Sequence, residues 1–278
     1  MKRWVHYKED TAVVLAAFGS IPEKEKYEDL KDYIQREIPD IPVYLSFASK
    51  SVIKVLKKED VIYKNLAQML SDLDMEGYRR IVVSSINIFP TDEHEYLKKT
   101  VEGFNQFSLS RIIHTGALFT KVTDANKILK EIDDQVKSKY GKNNYLYIVH
   151  GAPYLDQPGS HSISYVKDFL KGINPLSLFC SLEHDYQFKM IGESLLEAME
   201  QSCKDHKLPR EVKVIPLLLS SGNHFDLDVK KIKDYLGETF KVDIVESLCE
   251  SNKFNLLELD VVRSTIKRQI KEIIKKMQ

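Results

Sequence analysis

At 278 residues with 43% hydrophobic content, the chain is long enough to bury a full core and to divide into two domains. Its 41 basic and 41 acidic residues cancel to a formal charge of zero, which excludes a global field for nucleic acid or an anionic membrane, so any attraction for an anionic substrate has to be local. Cys180, Cys203 and Cys249 show no paired CxxC spacing, which argues against a zinc finger or a disulfide framework and for a reducing compartment.

The first ten residues are polar and charged where a secretory signal carries its apolar stretch. No run of about 18 apolar residues occurs, so the expectation is a soluble, cytoplasmic protein. Residues 12–18 are a short, wholly apolar run of strand type that breaks at Gly19 and Ser20; Pro22 then opens a helix reaching about residue 37. The turn is no P-loop, since no GxxxxGK[ST] follows, and no dinucleotide fingerprint, since its second and third glycines are missing. Ser20, beside a helix N-terminus, is a candidate for holding a carboxylate. Residues 43–48 read as a second strand and 50–58 as a short basic helix, with Val52, Ile53, Val55 and Leu56 inward. Such a lysine run is usually a solvated face; the alternative is that Lys50 and Lys54, next to a strand end, meet an acidic substrate. Residues 65–75 form an amphipathic helix stopped by Gly77, and 80–89 a third strand that ends in a polar stretch over 90–96, with Asp92, Glu93 and His94.

The pattern loosens over 103–110, which places a domain boundary after residue 107, with one lobe over 1–107 and a second over 108–278. A second series of strands and helices then begins. Strands are predicted at 111–118, 145–149, 176–182, 212–219 and 242–245, and helices at 123–140, 162–171, 186–206, 227–236 and 256–277. The first of these helices carries Ile128, Leu129, Ile132 and Val136 at helical spacing, and the last has a basic end that suits its dipole. Regular alternation of strand and helix implies parallel sheets: an α/β protein of two similar lobes, each a parallel sheet flanked by helices, with an active site in the cleft between them.

In open α/β sheets, ligands collect where strands end. The strand over 145–149 passes straight into His150 and Gly151, the strand over 212–219 into a polar loop with Gly222 and His224, and the strand over 176–182 into Glu183. A histidine after a strand is most often an ordinary loop residue; recurrence, with glycine nearby each time, is what singles these two out. Two neutral imidazoles and a carboxylate suit a divalent first-row metal such as cobalt, nickel, iron or zinc.

At these residues the chain resembles the anaerobic-type sirohydrochlorin cobalt chelatases, and more broadly the class II chelatases, which insert a metal without ATP. The resemblance runs from Phe18, Gly19 and Ser20 through residues 46–49, Asp92 and Glu93, His150 and Gly151, and Leu182 and Glu183, to residues 216–219 and Gly222, Asn223 and His224. It implies two α/β lobes facing a tetrapyrrole, a metal held by His150, Glu183 and His224, and a further active-site glutamate at Glu93. Where that family commonly has a histidine near the end of the third strand, this chain has Asn87. The implied reaction replaces pyrrole protons by a metal ion. His150 and His224 would bind the incoming ion, one of them accepting a proton, Glu183 would complete the coordination, and Glu93 would orient a histidine or relay protons. Ser20, Ser49, Lys50 and Lys54 are candidates for the carboxylates of sirohydrochlorin. The metal is a substrate, so no cofactor and no nucleotide is expected beyond it. Co2+, and with it cobalamin biosynthesis, is the first expectation, with Fe2+ or Ni2+ as alternatives that ligand type does not separate. The expected partners are the tetrapyrrole and the ion, with no nucleic acid and no membrane; a homo-oligomer is left open. The rival readings are a non-catalytic paralogue that binds a tetrapyrrole or metal, and a metal-dependent hydrolase built on the same ligands.

Overall fold

The structure, a computed structural model, describes residues 7–219, 225–245, 248 and 255–278. Among these the chain forms two four-stranded sheets, all parallel. The first contains β1 (Glu9–Ala17), β2 (Val43–Phe47), β3 (Tyr78–Ile86) and β4 (Arg111–His114), in the order β2-β1-β3-β4. The second contains β5 (Asn144–Val149), β6 (Ser177–Ser181), β7 (Glu211–Pro216) and β8 (Lys241–Ile244), in the order β6-β5-β7-β8. The two orders are the same topology, and both put the switch of direction beside the central strands β1 and β5, where a parallel sheet opens a crevice for ligands.

In the first unit, α1 (Lys24–Glu37), α2 (Lys50–Lys58), α3 (Leu66–Glu76) and α4 (Asp92–Phe104) flank the sheet. β1 is buried continuously from Thr11 to Ala17, as expected of a strand covered on both faces. Its Ala12, Val14 and Ala16 share a core with Leu66, Leu70 and Leu73 of α3 and Leu97 and Val101 of α4. Asn65 and Gln68 form a reciprocal capping box at the start of α3. In the second unit, α5 (Val122–Tyr140), α6 (Pro158–Ile173), α7 (Phe188–His206) and α8 (Lys230–Gly237) surround the sheet. Leu146, Ile148, Val212 and Val214 pack there with Leu195, Met199, Ile232 and Leu236. Tyr147 faces the other side of β5, where the buried Asp133 of α5 accepts hydrogen bonds from Tyr147 Oη at 3.1 Å and Asn174 Nδ2 at 2.8 Å. No helix among the described residues is long and apolar enough to cross a membrane.

Several expectations are corrected. The compact units are Met1–Lys121 with Val262–Gln278, and Val122–Val261, so the division after residue 107 moves to Lys121. The reason is strand pairing: β4, which the sequence suggests as the start of the second series, pairs with β3 through Arg80 opposite Arg111 and Ile81 opposite Ile112. The C-terminal helix α9 (Asp260–Met277) also leaves the second lobe, because Lys267 pairs with Glu37 at 3.1 Å, Glu272 with Lys121 at 3.0 Å, and Arg263 lies over the Tyr33 ring. The helix expected to run unbroken from residue 256 is a 3-10 turn over Leu256–Glu258 followed by α9. α4 replaces what reads as a polar strand end over 90–96.

Candidate functional site

In the second unit, β5 and β6 lie side by side in parallel, with Val149 opposite Ser181. Their ends continue the pairing: Leu182 N donates to Val149 O at 2.9 Å and Glu183 N to His150 O at 3.0 Å. Two of the sequence-predicted ligands, His150 and Glu183, thus stand on adjacent backbone at one rim. The His150 side chain is exposed and that of Glu183 half-exposed, with Oε2 3.7 Å from Nε2 of His184. On the other side of β5, Leu217 N donates to Ile148 O at 2.7 Å, which carries the chain leaving β7 along the same rim. His224, seven residues on from Leu217, lies outside the described residues. Among the described residues no group of three or more His, Cys, Asp or Glu is arranged to hold a metal ion.

The turn after β6 is locked by its own polar groups. Ser181 Oγ donates to the carbonyls of Glu183, at 2.8 Å, and Asp185, and Asp185 Oδ1 accepts from Ala152 N at 2.9 Å. Burial pushes the Asp185 carboxyl above its usual range, against the opposing pull of the Ala152 N–H and His184. Gly151, at φ +106°, passes so close to this turn that a Cβ there would stand 1.9 Å from Glu183 O. Only glycine fits at that crossing.

In the first unit the ends of β1, β2 and β3 surround a depression lined among others by Phe18, Ser46, Lys50, Asn87, Glu93 and Tyr96. Glu93 sits in the first turn of α4, where an acid suits the helix dipole, and its Oε2 accepts from Thr91 Oγ1 at 3.0 Å. Of the four residues expected to meet substrate carboxylates, Lys50 lines this depression. Lys54 is exposed on α2. Ser49 is occupied as the N-cap of α2, accepting from Val52 N at 3.3 Å, and Ser20 is buried and accepts from Glu23 N at 3.3 Å.

Beneath the depression lies a polar cluster that the sequence reading passes over. Asn87 Nδ2 donates to Ser85 Oγ at 3.0 Å, Ser85 Oγ lies 2.8 Å from Nδ1 of His94, and the His94 ring meets that of His114 at 5.7 Å between centroids. The available signal was spacing: His94, Leu97 and Val101 fall on one helical face, and all three are buried. Burial above all, and then the neighbouring His114, lower the His94 imidazole from 6.5 to about 4. The unfolded chain therefore takes up a proton below pH 6.5 that the folded chain refuses until about pH 4. The stability contributed by neutral His94 is fully present above that window and lost as pH falls through it. By the relation between pKa and free energy, about 3 kcal/mol is at stake. Denaturant unfolding followed from neutral pH down to about pH 4.5 should show this decline, and His94→Gln should flatten it; an unchanged slope in the variant would rule out His94 as its source.

The family model described as cobalt chelatase (CbiK) matches residues 11–267. Among solved structures, SirB from Bacillus subtilis with Fe3+ superposes at a TM-score of 0.66 and 12% identity, over 95% of this chain and 95% of that one. The sirohydrochlorin chelatase SirB from Bacillus subtilis subspecies spizizenii, in complex with cobalt, gives 0.61 and 10%, over 96% of each chain. CbiX, the terminal enzyme of siroheme biosynthesis in denitrifying bacteria, gives 0.58 and 12%, over 94% of this chain and 98% of that one. At such identities the likeness shows a common fold of two parallel four-stranded sheets flanked by helices. No curated protein sequence matches.

Proposed function

The chain belongs to the cobalt chelatase (CbiK) family, and we propose that it inserts a divalent metal ion, Co2+ foremost, into sirohydrochlorin or a related tetrapyrrole without ATP. What supports this reading in the second unit is the pairing of the β5 and β6 ends, which sets His150 beside Glu183 on one rim. Insertion replaces pyrrole protons by the ion, so it needs a base that works near neutral pH and ligands that release the metal. Imidazole meets both needs. His150 takes the incoming ion with Glu183, whose carboxylate offsets its charge, and His224 completes the set. Either imidazole then accepts one of the two displaced pyrrole protons as the ion passes to the ring, and the other leaves to solvent water. Glu93 serves the same reaction from the first turn of α4. With Co2+ the product belongs to cobalamin biosynthesis.

The test is anaerobic incubation of the purified protein with sirohydrochlorin and Co2+, with Fe2+ and Ni2+ in parallel, followed by absorbance. Faster metallation than the protein-free control is expected, most strongly with Co2+. A rate equal to the control with all three metals would reject insertion in favour of a tetrapyrrole carrier, and a preference for Fe2+ or Ni2+ would reassign the metal.

A further inference from the structure

Resting on the chelatase reading, we propose that Asn87 and Ser46 form a subsite for one carboxylate arm of the tetrapyrrole, with Lys50 at its mouth. Among the described residues the depression in the first unit is lined by one acid, Glu93, and one base, Lys50, so its selectivity falls to its neutral polar groups. Ser46 lines it, is 1% exposed, and its Oγ has no hydrogen-bond partner among the described residues. An unsatisfied buried hydroxyl costs about 1–3 kcal/mol, a penalty that a bound acceptor would remove.

Asn87 is held at two points. Its backbone carbonyl accepts from Leu118 N at 2.9 Å, which fixes the main chain, and its side-chain Nδ2 donates to Ser85 Oγ at 3.0 Å. Because Ser85 Oγ accepts that bond, its own proton goes to Nδ1 of His94, 2.8 Å away. A histidine kept neutral by burial preserves the lone pair that this direction requires. The chain Asn87 to Ser85 to His94 fixes which edge of the amide is nitrogen and leaves its second N–H for the depression. An amide N–H, a hydroxyl and an ammonium are all donors, and the group that takes three donors at once is an anionic oxygen pair. Sirohydrochlorin presents such groups around its rim.

Insertion kinetics and equilibrium binding of metal-free sirohydrochlorin, both read by absorbance, test this in Asn87→Ala, Asn87→Asp and Ser46→Ala. Asn87→Ala should raise KM and Kd for the tetrapyrrole about 10-fold, leaving kcat and the KM for Co2+ within about twofold. Asn87→Asp should cost more than alanine, because it sets a carboxylate against a carboxylate. Ser46→Ala should weaken binding while leaving the melting temperature level or higher, an opposite pair of effects that a structural serine would not give. If the unaltered protein binds the tetrapyrrole but inserts nothing, insertion falls and the subsite is still judged by Kd. If insertion proceeds and all three variants keep the original KM and Kd, or lose kcat alone, the subsite falls by itself. Absence of any tetrapyrrole binding overturns both.

Discussion

His150→Ala is expected to lower metal insertion by about a hundredfold or more while leaving thermal unfolding unmoved. The size follows from the two tasks assigned to one imidazole: a positioned base contributes about 10²–10⁴-fold, and loss of a ligand weakens capture of the ion as well. The untouched stability follows from placement. The His150 side chain is exposed at the rim just past β5, so its truncation opens no cavity beside Val149 or Ile148. Anaerobic insertion rates, together with calorimetric titration of Co2+ in the absence of tetrapyrrole, check both tasks. An alanine variant that inserts at close to the original rate would remove His150 from the mechanism. One that binds Co2+ normally yet fails to insert would leave it only the proton.

Gly151→Ala is expected to be as damaging, by a different route. At φ +106° a side chain is strained wherever it has room, and here it has none, with the Glu183 carbonyl 1.9 Å from the new Cβ. Either the Glu183 turn moves or the β5 end does, and the interlocked Ser181, Asp185 and Ala152 bonds go with it. A loss on the order of 3–5 kcal/mol in the second unit is expected, visible as a marked fall in its unfolding midpoint. Gly141→Ala provides the comparison, since φ is +71° there and no atom lies within 4 Å of the added Cβ. It should lose only the backbone part, on the order of 1 kcal/mol. Equal losses in the two variants would mean that the Glu183 crossing contributes nothing.

The parts of this molecule most readable from sequence were those under the strongest constraint. A strand buried on both faces has to be apolar without interruption, and β1 and β5 declare themselves for that reason. α2 emerged with its expected bounds, and α3 with its start and stop, because capping residues mark them. β4 went to the wrong lobe because a four-residue edge strand carries no label of its partner, and the pairing with β3 is a long-range choice. α4 was hidden by its polar first turn: Asp92, Glu93 and Glu95 look like loop but satisfy a helix N-terminus. With α4 went the burial of His94, and with that the support beneath Asn87. At the candidate site, sequence supplied His150 and Glu183, and parallel pairing of β5 with β6 supplied their adjacency, which no spacing in the chain could reveal. The hydroxyls of Ser20 and Ser49 show the converse, since residues suited to gripping a carboxylate are equally suited to finishing a helix or turn.

The return of α9 to the first unit sets an order of assembly. Residues 262–278 leave the ribosome after the whole of the second unit, yet Ile266 and Ile270 are buried and Lys267 is spent on Glu37. The rest of the first unit, though synthesised earlier, therefore keeps an incomplete coat until residues 262–278 have been made.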